Sequence, residues 1–233
     1  MTVAAASRPR RCPRSPSPRA WLPLDCWRTS PFQSIRIHCP CTGKNKSCNA
    51  SPRRLIHYTP LRYPGGGKGK LASYFKSVIE ANALEDGTYV EPYAGGAAIA
   101  LELLFHEYVS KIHINDISRP VHAFWKCVLD HTEEFVRLIR NRRLTVRSWD
   151  KQKQVITHAN DYDDLALGFA TFFLNRTNRS GILNGGIIGG RDQSGPWKID
   201  ARFNVPELIF RIESIAKLRG RMSRTAETDV PLH

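Results

Sequence analysis

The sequence predicts an α/β fold with a parallel sheet and a right-handed crossover, and three observations carry that expectation. A short β-like run covers Thr88–Tyr93 and is stopped by Pro92. An apolar helix follows, with Ile99, Leu101, Leu103, Leu104 and Phe105 in its apolar set. A second strand reads at Lys111–Asn115, where Ile112 and Ile114 alternate with polar residues. Strand, helix and strand in that order form a crossover unit, which puts both strands in one parallel sheet.

The 233 residues are enough for one or two domains, and 41% hydrophobic residues are enough for a core. No run of 18 apolar residues occurs, so no membrane span is expected. The net charge of +14 points to a polyanionic partner such as nucleic acid. That charge is unevenly spread. Residues 1–57 carry 11 Lys+Arg against one acid, Asp25, leaving +4 for residues 58–233. The same segment holds eight of fifteen prolines and five of six cysteines, and it lacks apolar periodicity. It reads as a disordered basic extension. It has no apolar stretch of roughly 7–15 residues, so it is not a secretory signal. Its Arg- and Ser-rich composition fits a transit peptide, but Pro9, Pro13, Pro16 and Pro18 break the helix such a peptide needs. A dispensable tail fits the same residues.

Cys39, Cys41 and Cys48 lack a paired CxxC knuckle, and His38 is the only adjacent imidazole, so no metal site is expected. Cys127 stands in an apolar helical stretch and reads as a buried thiol. Nothing requires an oxidising compartment, and a cytoplasmic location is expected.

Helical spacing first appears at Leu71–Leu84, with Leu71, Tyr74, Phe75, Val78 and Ile79 on one face. Beyond the crossover unit the pattern is mostly helical. Pro120–His131 and Glu133–Asn141 are amphipathic, and Leu165–Leu174 is strongly apolar. Asn178–Gly195 is rich in Gly and Asn, hence a loop or short hairpin. Pro206–Met222 reads as one long amphipathic helix, followed by a polar stretch, Ser223–His233, without strand character. The expected division is a basic extension at 1–57, a cofactor-binding α/β part at 58–118, a mostly helical recognition region at 119–222 and an irregular tail at 223–233.

Three constellations carry chemistry. The first is EPYAGG at Glu91–Gly96, between a strand and a helix. Gly95 and Gly96 let a ligand approach the backbone, and a helix N-terminus offers N–H groups. Asp116 lies 20 residues after Gly96, where a carboxylate can accept both hydroxyls of a ribose. A structural turn and an Asp cap on the next helix explain the same residues. The GxGxxG fingerprint of dinucleotide enzymes is absent, which argues against a nicotinamide oxidoreductase. The second is RYPGGGKGK at Arg62–Lys70. Gly69 follows Lys68 where a triphosphate loop needs Ser or Thr, so that reading fails. An aromatic, glycines and a lysine instead suit an adenine-bearing ligand with a carboxylate; a solvated turn fits equally. The third is FFLNRTNRSGILNGG at Phe172–Gly186. Its Asn and Arg residues are types that read base edges and bind phosphates, and cations ending a helix are also common. Arg137, Arg140, Arg142, Arg143 and Arg147 form a further basic run that a solvated helix face explains.

Taken in order, RYPGGGKGKL, YVEPYAGGAAIALEL, INDIS, FFLNRTNRSGILNGG and WKIDARFNVPELIFRIESIAKLRGRM resemble the Dam-like family of adenine-specific DNA methyltransferases. The similarity runs from about Tyr58 to Met222. It implies a Rossmann-like, S-adenosylmethionine-dependent fold with a helical target-recognition subdomain, acting on double-stranded DNA without a metal, as in restriction–modification systems. By position it makes Tyr63, Lys68, Glu91, Gly95, Gly96 and Asp116 cofactor contacts. It places Arg179 and Ser180 at positions that face DNA, and Asn175 and Arg176 join them as DNA-binding candidates by residue type. The third glycine of Gly65–Gly67 departs from the family, which has two before its lysine.

The larger departure concerns catalysis. The family transfers its methyl group at an Asp-Pro-Pro-Tyr tetrapeptide, and this sequence contains none. Glu91-Pro92-Tyr93 belongs to the cofactor loop, and Asp229-Val230-Pro231-Leu232 lacks the second proline and the aromatic residue. The expectation is therefore a truncated or frameshifted methyltransferase, inactive on its own. The alternatives are a DNA-binding module without catalysis and an unstable fragment whose sheet edges stay exposed.

Overall fold

Among the described residues, 58–61 and 64–226 of the computed structural model, three strands and seven α-helices form. All of them fall in one compact unit, Pro52–His233. The extension expected at 1–57 lies outside the described residues, as do 227–233 of the expected tail.

A 3-10 turn at Pro64–Leu71 leads into α1 (Ala72–Ala81). Only part of the apolar face expected there is covered. Ile79 is buried and Phe75 half-buried, while Leu71 and Tyr74 are exposed. β1 (Thr88–Glu91), α2 (Ala98–Phe105) and β2 (Lys111–Asp116) then form the expected crossover unit. β1 and β2 pair in parallel, with Glu91 opposite Ile114. Ile112 and Ile114 are both 1% exposed, as their alternation requires.

Five helices separate β2 from the last strand: α3 (Arg119–Asp130), α4 (Thr132–Asn141), α5 (Val146–Thr157), α6 (Asp164–Thr177) and α7 (Val205–Ala216). Each start has a local cause. α3 and α7 carry a proline in the first turn, where no intrahelical N–H is required. The hydroxyl of Thr145 accepts from the Ser148 amide at 3.1 Å ahead of α5, and the Asp163 carboxylate accepts from Ala166 at 2.7 Å ahead of α6. α4 has Glu133 and Glu134 in its first turn and Arg140 in its last, matching the helix dipole.

The apolar α6 is the axis of the helical part, lying against α3 and α5. Phe172 stacks on Phe124 at 6.2 Å and meets Phe135 and Phe203 edge-on at 5.5 and 5.6 Å. One buried cluster runs from Leu101 and Ile112 to Phe172 and Ile212, so the α/β and helical parts share a core. Among the described residues, no helix is long and apolar enough to cross a membrane.

The chain departs from its sequence pattern after α7. The helix expected to reach Met222 stops at Ala216, and a 3-10 turn at Arg219–Arg221 leads into β3 (Met222–Ala226). The stretch expected to lack strand character thus begins inside a strand. β3 pairs in parallel with β2, giving the order β1-β2-β3. The physical cause is polar. Arg221 donates to the carbonyls of Ser110 (2.7 Å) and Val109 (2.8 Å), which pins the turn beside the start of β2. His113 then bridges the hydroxyls of Ser223 (2.7 Å) and Thr225 (3.1 Å), and Arg224 pairs with Asp130. A strand held by such contacts has no apolar alternation to reveal it.

Two outcomes follow. A Cβ at Gly168 of α6 stands 2.5 Å from the Cys127 sulfur and 2.6 Å from the Ala123 carbonyl oxygen. Gly168→Ala therefore overpacks the α3–α6 contact and lowers stability by about 1–3 kcal/mol, read from urea unfolding. Burial, aided by the charges of Asp164 and Asp163, pushes the Cys127 thiol up to about 12. The folded state thus prefers the protonated thiol, and the unfolded chain loses that proton first. Stability falls as pH rises from about 9 toward about 12. Cys127→Ala removes part of that slope in urea midpoints measured across the range.

Candidate functional site

The loop between β1 and α2 is fixed from three sides. At the end of β1, Glu91 is 2% exposed. Its Oε2 accepts from the Ala100 amide at 3.0 Å, in the first turn of α2. The residue before α2, Ala97, is left-handed (φ 47) and offers no side-chain cap. Glu91 supplies that cap from the preceding strand. Its Oε1 lies 2.7 Å from the Lys68 ammonium, and Lys68 also donates to the Tyr93 carbonyl. Burial, and then the Glu91 carboxylate, push the Tyr89 hydroxyl up to about 12.

From β2, the Asn115 carbonyl accepts from Ala94 at 2.8 Å and Asp116 Oδ2 accepts from the Gly95 amide at 2.7 Å. Asp116 Oδ1 accepts from Ser118 at 2.9 Å, just before α3. From α3, the fully buried Trp125 donates its indole N–H to the Gly95 carbonyl at 2.8 Å. Gly95 has φ 53, the left-handed region that costs glycine little. Gly96 is buried and Gly95 half-buried. Lys68, Glu91, Gly95, Gly96 and Asp116 therefore meet at the carboxyl ends of two parallel strands. Tyr63 lies outside the described residues.

A second site lies past α6. An antiparallel bridge joins Asn178 to Ile187 and closes the loop between them. Trp149 donates to Asn178 Oδ1 at 2.6 Å, and Asn178 Nδ2 donates to the carbonyls of Ile182 (2.8 Å) and Leu183 (3.0 Å). The four DNA-binding candidates divide here. Asn175 and Arg176 are buried, 2% and 5% exposed. Asn175 donates to the Gly181 carbonyl at 2.9 Å and Arg176 to the Pro60 carbonyl. Asn175 thus acts on the loop from inside, and Arg176 ties α6 to Pro60. The cause is periodicity: α6 is apolar on every side to Phe173, and its last turn remains enclosed. Arg179 and Ser180 are exposed and line a cavity of about 760 Å³ with Asp192, Trp197 and Arg202. The sequence reading missed Trp197 and Arg202. Their signal was a tryptophan and an arginine within a Gly-rich polar stretch. Of the basic run, Arg142 lies over the Phe169 ring at 4.8 Å and Arg140 lies 3.7 Å from Glu213. Among the described residues, no group of three or more His, Cys, Asp or Glu is placed to hold a metal.

A family model, the D12 class N6 adenine-specific DNA methyltransferase, matches residues 64–182, just over half of the chain's 233 residues. The matched stretch takes in the Glu91–Asp116 loop system and the Arg179–Ser180 wall of the cavity. No curated protein matches the chain.

The Glu91 contacts set an expected order of effects. Glu91→Ala leaves the Ala100 amide without its acceptor inside the fold and costs about 1–3 kcal/mol. Lys68→Met leaves the Glu91 carboxylate, 3% exposed, buried without its cation, and costs more, about 3–5 kcal/mol. Urea unfolding of the two variants checks the order; equal losses contradict it.

Proposed function

The chain belongs to the D12 class of N6 adenine-specific DNA methyltransferases, and from that premise we propose three things. The β1–α2–β2 part is the S-adenosylmethionine-binding part of a Rossmann-like fold. The face with the cavity receives double-stranded DNA. These 233 residues do not transfer a methyl group by themselves. The family match over residues 64–182 carries the reading.

The residues present fit such a cofactor. Ligands of parallel α/β sheets bind beyond the carboxyl ends of the strands, where Asp116 and the glycine loop stand. Each Asp116 oxygen accepts one N–H, so both keep acceptor capacity for a pair of ribose hydroxyls. The structural reading of Asp116 and the ligand reading are therefore compatible. Lys68 pairs ionically with Glu91, donates to the Tyr93 carbonyl and retains an N–H for the carboxylate of the ligand. Tyr93 and Ile117, next to the loop and to Asp116 in sequence, are exposed and provide apolar surface for an adenine. Bound there, S-adenosylmethionine supplies an electrophilic methyl group. On the DNA side, Arg179 and Ser180 make contacts, while Asn175 holds the loop that presents them and Arg176 ties α6 to Pro60.

The proposal of inactivity rests on chemistry. The exocyclic amine of adenine is a poor nucleophile, because its lone pair is delocalised into the ring. Transfer needs an acid and a carbonyl to accept its two hydrogens and an aromatic face to hold the flipped base. No Asp-Pro-Pro-Tyr tetrapeptide supplies them here. Binding without turnover is then the action of this chain alone.

Calorimetric titration is expected to show S-adenosylmethionine binding that Asp116→Ala weakens ten-fold or more. Transfer of a labelled methyl group to an adenine-containing duplex is expected to be absent. Turnover by pure protein overturns the inactivity, and no cofactor binding overturns the assignment of the loop.

A further inference from the structure

Trp197 is 71% exposed, the most exposed of the large apolar side chains among the described residues. An indole left in water loses the burial that aromatic side chains otherwise contribute, so its placement calls for a cause. The segment that carries it is tightly held. Gln193 Nε2 donates to the carbonyls of Ile188 (2.8 Å) and Gly190 (2.6 Å), and Gln193 Oε1 accepts from the Ile199 amide at 2.8 Å. Lys198 donates to the Gln193 carbonyl. Gly189 has φ +85, and a Cβ there stands 2.6 Å from the Trp197 carbonyl oxygen, so only glycine admits the backbone of Trp197 this close.

The indole is thus presented on a braced loop at the wall of the cavity that also holds Arg179 and Arg202. The lining also holds one acid, Asp192, whose charge the two guanidiniums outnumber. Its Oδ2 accepts from the Ser194 hydroxyl at 2.6 Å and its Oδ1 from the Ser194 amide at 3.4 Å, and these bonds hold its carboxyl below the usual range. Two guanidiniums and one flat aromatic face remain for a ligand. That combination matches a nucleic acid: cations for phosphates, a ring for a base.

We propose that Trp197 stacks on a base unstacked from the bound duplex, with Arg179 and Arg202 on the adjoining phosphates. The inference rests on DNA being the substrate and goes beyond it by naming the stacking residue. Stacking on an aromatic ring is tolerant of base identity and nearly indifferent to salt, whereas each phosphate contact adds to the salt dependence. The two kinds of contact therefore separate in one experiment.

Binding of the full chain to a fluorescein-labelled duplex of mixed sequence is followed by anisotropy over a series of salt concentrations. Trp197→Ala is expected to weaken binding about ten-fold at every salt concentration with the log–log slope unchanged, and Trp197→Phe to retain most of the affinity. Arg179→Gln and Arg202→Gln are each expected to reduce the slope by about one. Tryptophan emission of the wild type is expected to fall on adding DNA, and that quenching is lost in Trp197→Phe. Wild-type affinity in Trp197→Ala overturns the proposal, as does an unchanged slope in both arginine variants. If Trp197→Ala converts a dimer to a monomer in sedimentation while DNA affinity is unchanged, the exposed indole belongs to a contact between copies and the proposal also fails. Failure of the wild type to bind the duplex at any salt concentration sinks the DNA reading itself, a different result.

Discussion

One buried carboxylate organises the first half of this protein. Glu91 ends a strand, caps the next helix through the Ala100 amide, and draws in Lys68 from a segment 23 residues earlier. A charge at 2% exposure is unfavourable unless it is paired and hydrogen-bonded. Here Oε2 accepts a hydrogen bond and Oε1 meets the Lys68 ammonium, so the unfavourable burial is met only when β1, α2 and the Lys68 turn are in register together. The left-handed Ala97 makes the dependence stronger, because α2 has no cap of its own. The glycine loop thus takes its course from the fold and not from a ligand.

That loop also rests on the helical part of the chain. Trp125, from α3, supports the Gly95 carbonyl from below, and the adjacent Phe124 packs against Phe172 of α6. Asn175 in the last turn of the same α6, and Asn178 just after it, hold the loop bearing Arg179 and Ser180. A continuous path of packed and hydrogen-bonded side chains therefore runs from the cofactor-type loop to the cavity. For a methyltransferase, whose donor and target must meet in fixed geometry, a shared core is a reason for both sites to lie in one compact unit.

Net charge proves a weaker guide than placement. Most of the +14 lies in residues 1–57, outside the described residues. Within the described part, arginines do unlike work. Arg221 and Arg224 fasten a strand, Arg176 is buried and donates to the Pro60 carbonyl, and Arg142 covers an aromatic ring. Arg179 and Arg202 stay on the cavity wall.

The sequence alone determined the crossover unit, the glycine loop, Asp116 and the helices with strong apolar periodicity, because each depends on local patterns that burial enforces. It also carried the family, through the order of short motifs, and the lack of an Asp-Pro-Pro-Tyr tetrapeptide. Only the tertiary structure decided the rest. The strand at Met222–Ala226 exists because Arg221 and His113 recruit it, and polar contacts across about 110 residues leave no periodic trace. Asn175 and Arg176 turn inward because α6 is enclosed to its last turn, while Trp197 turns outward because Gln193 and Gly189 brace its loop. Side-chain direction at a helix end or in an irregular loop is set by what packs around it, which composition and spacing do not encode.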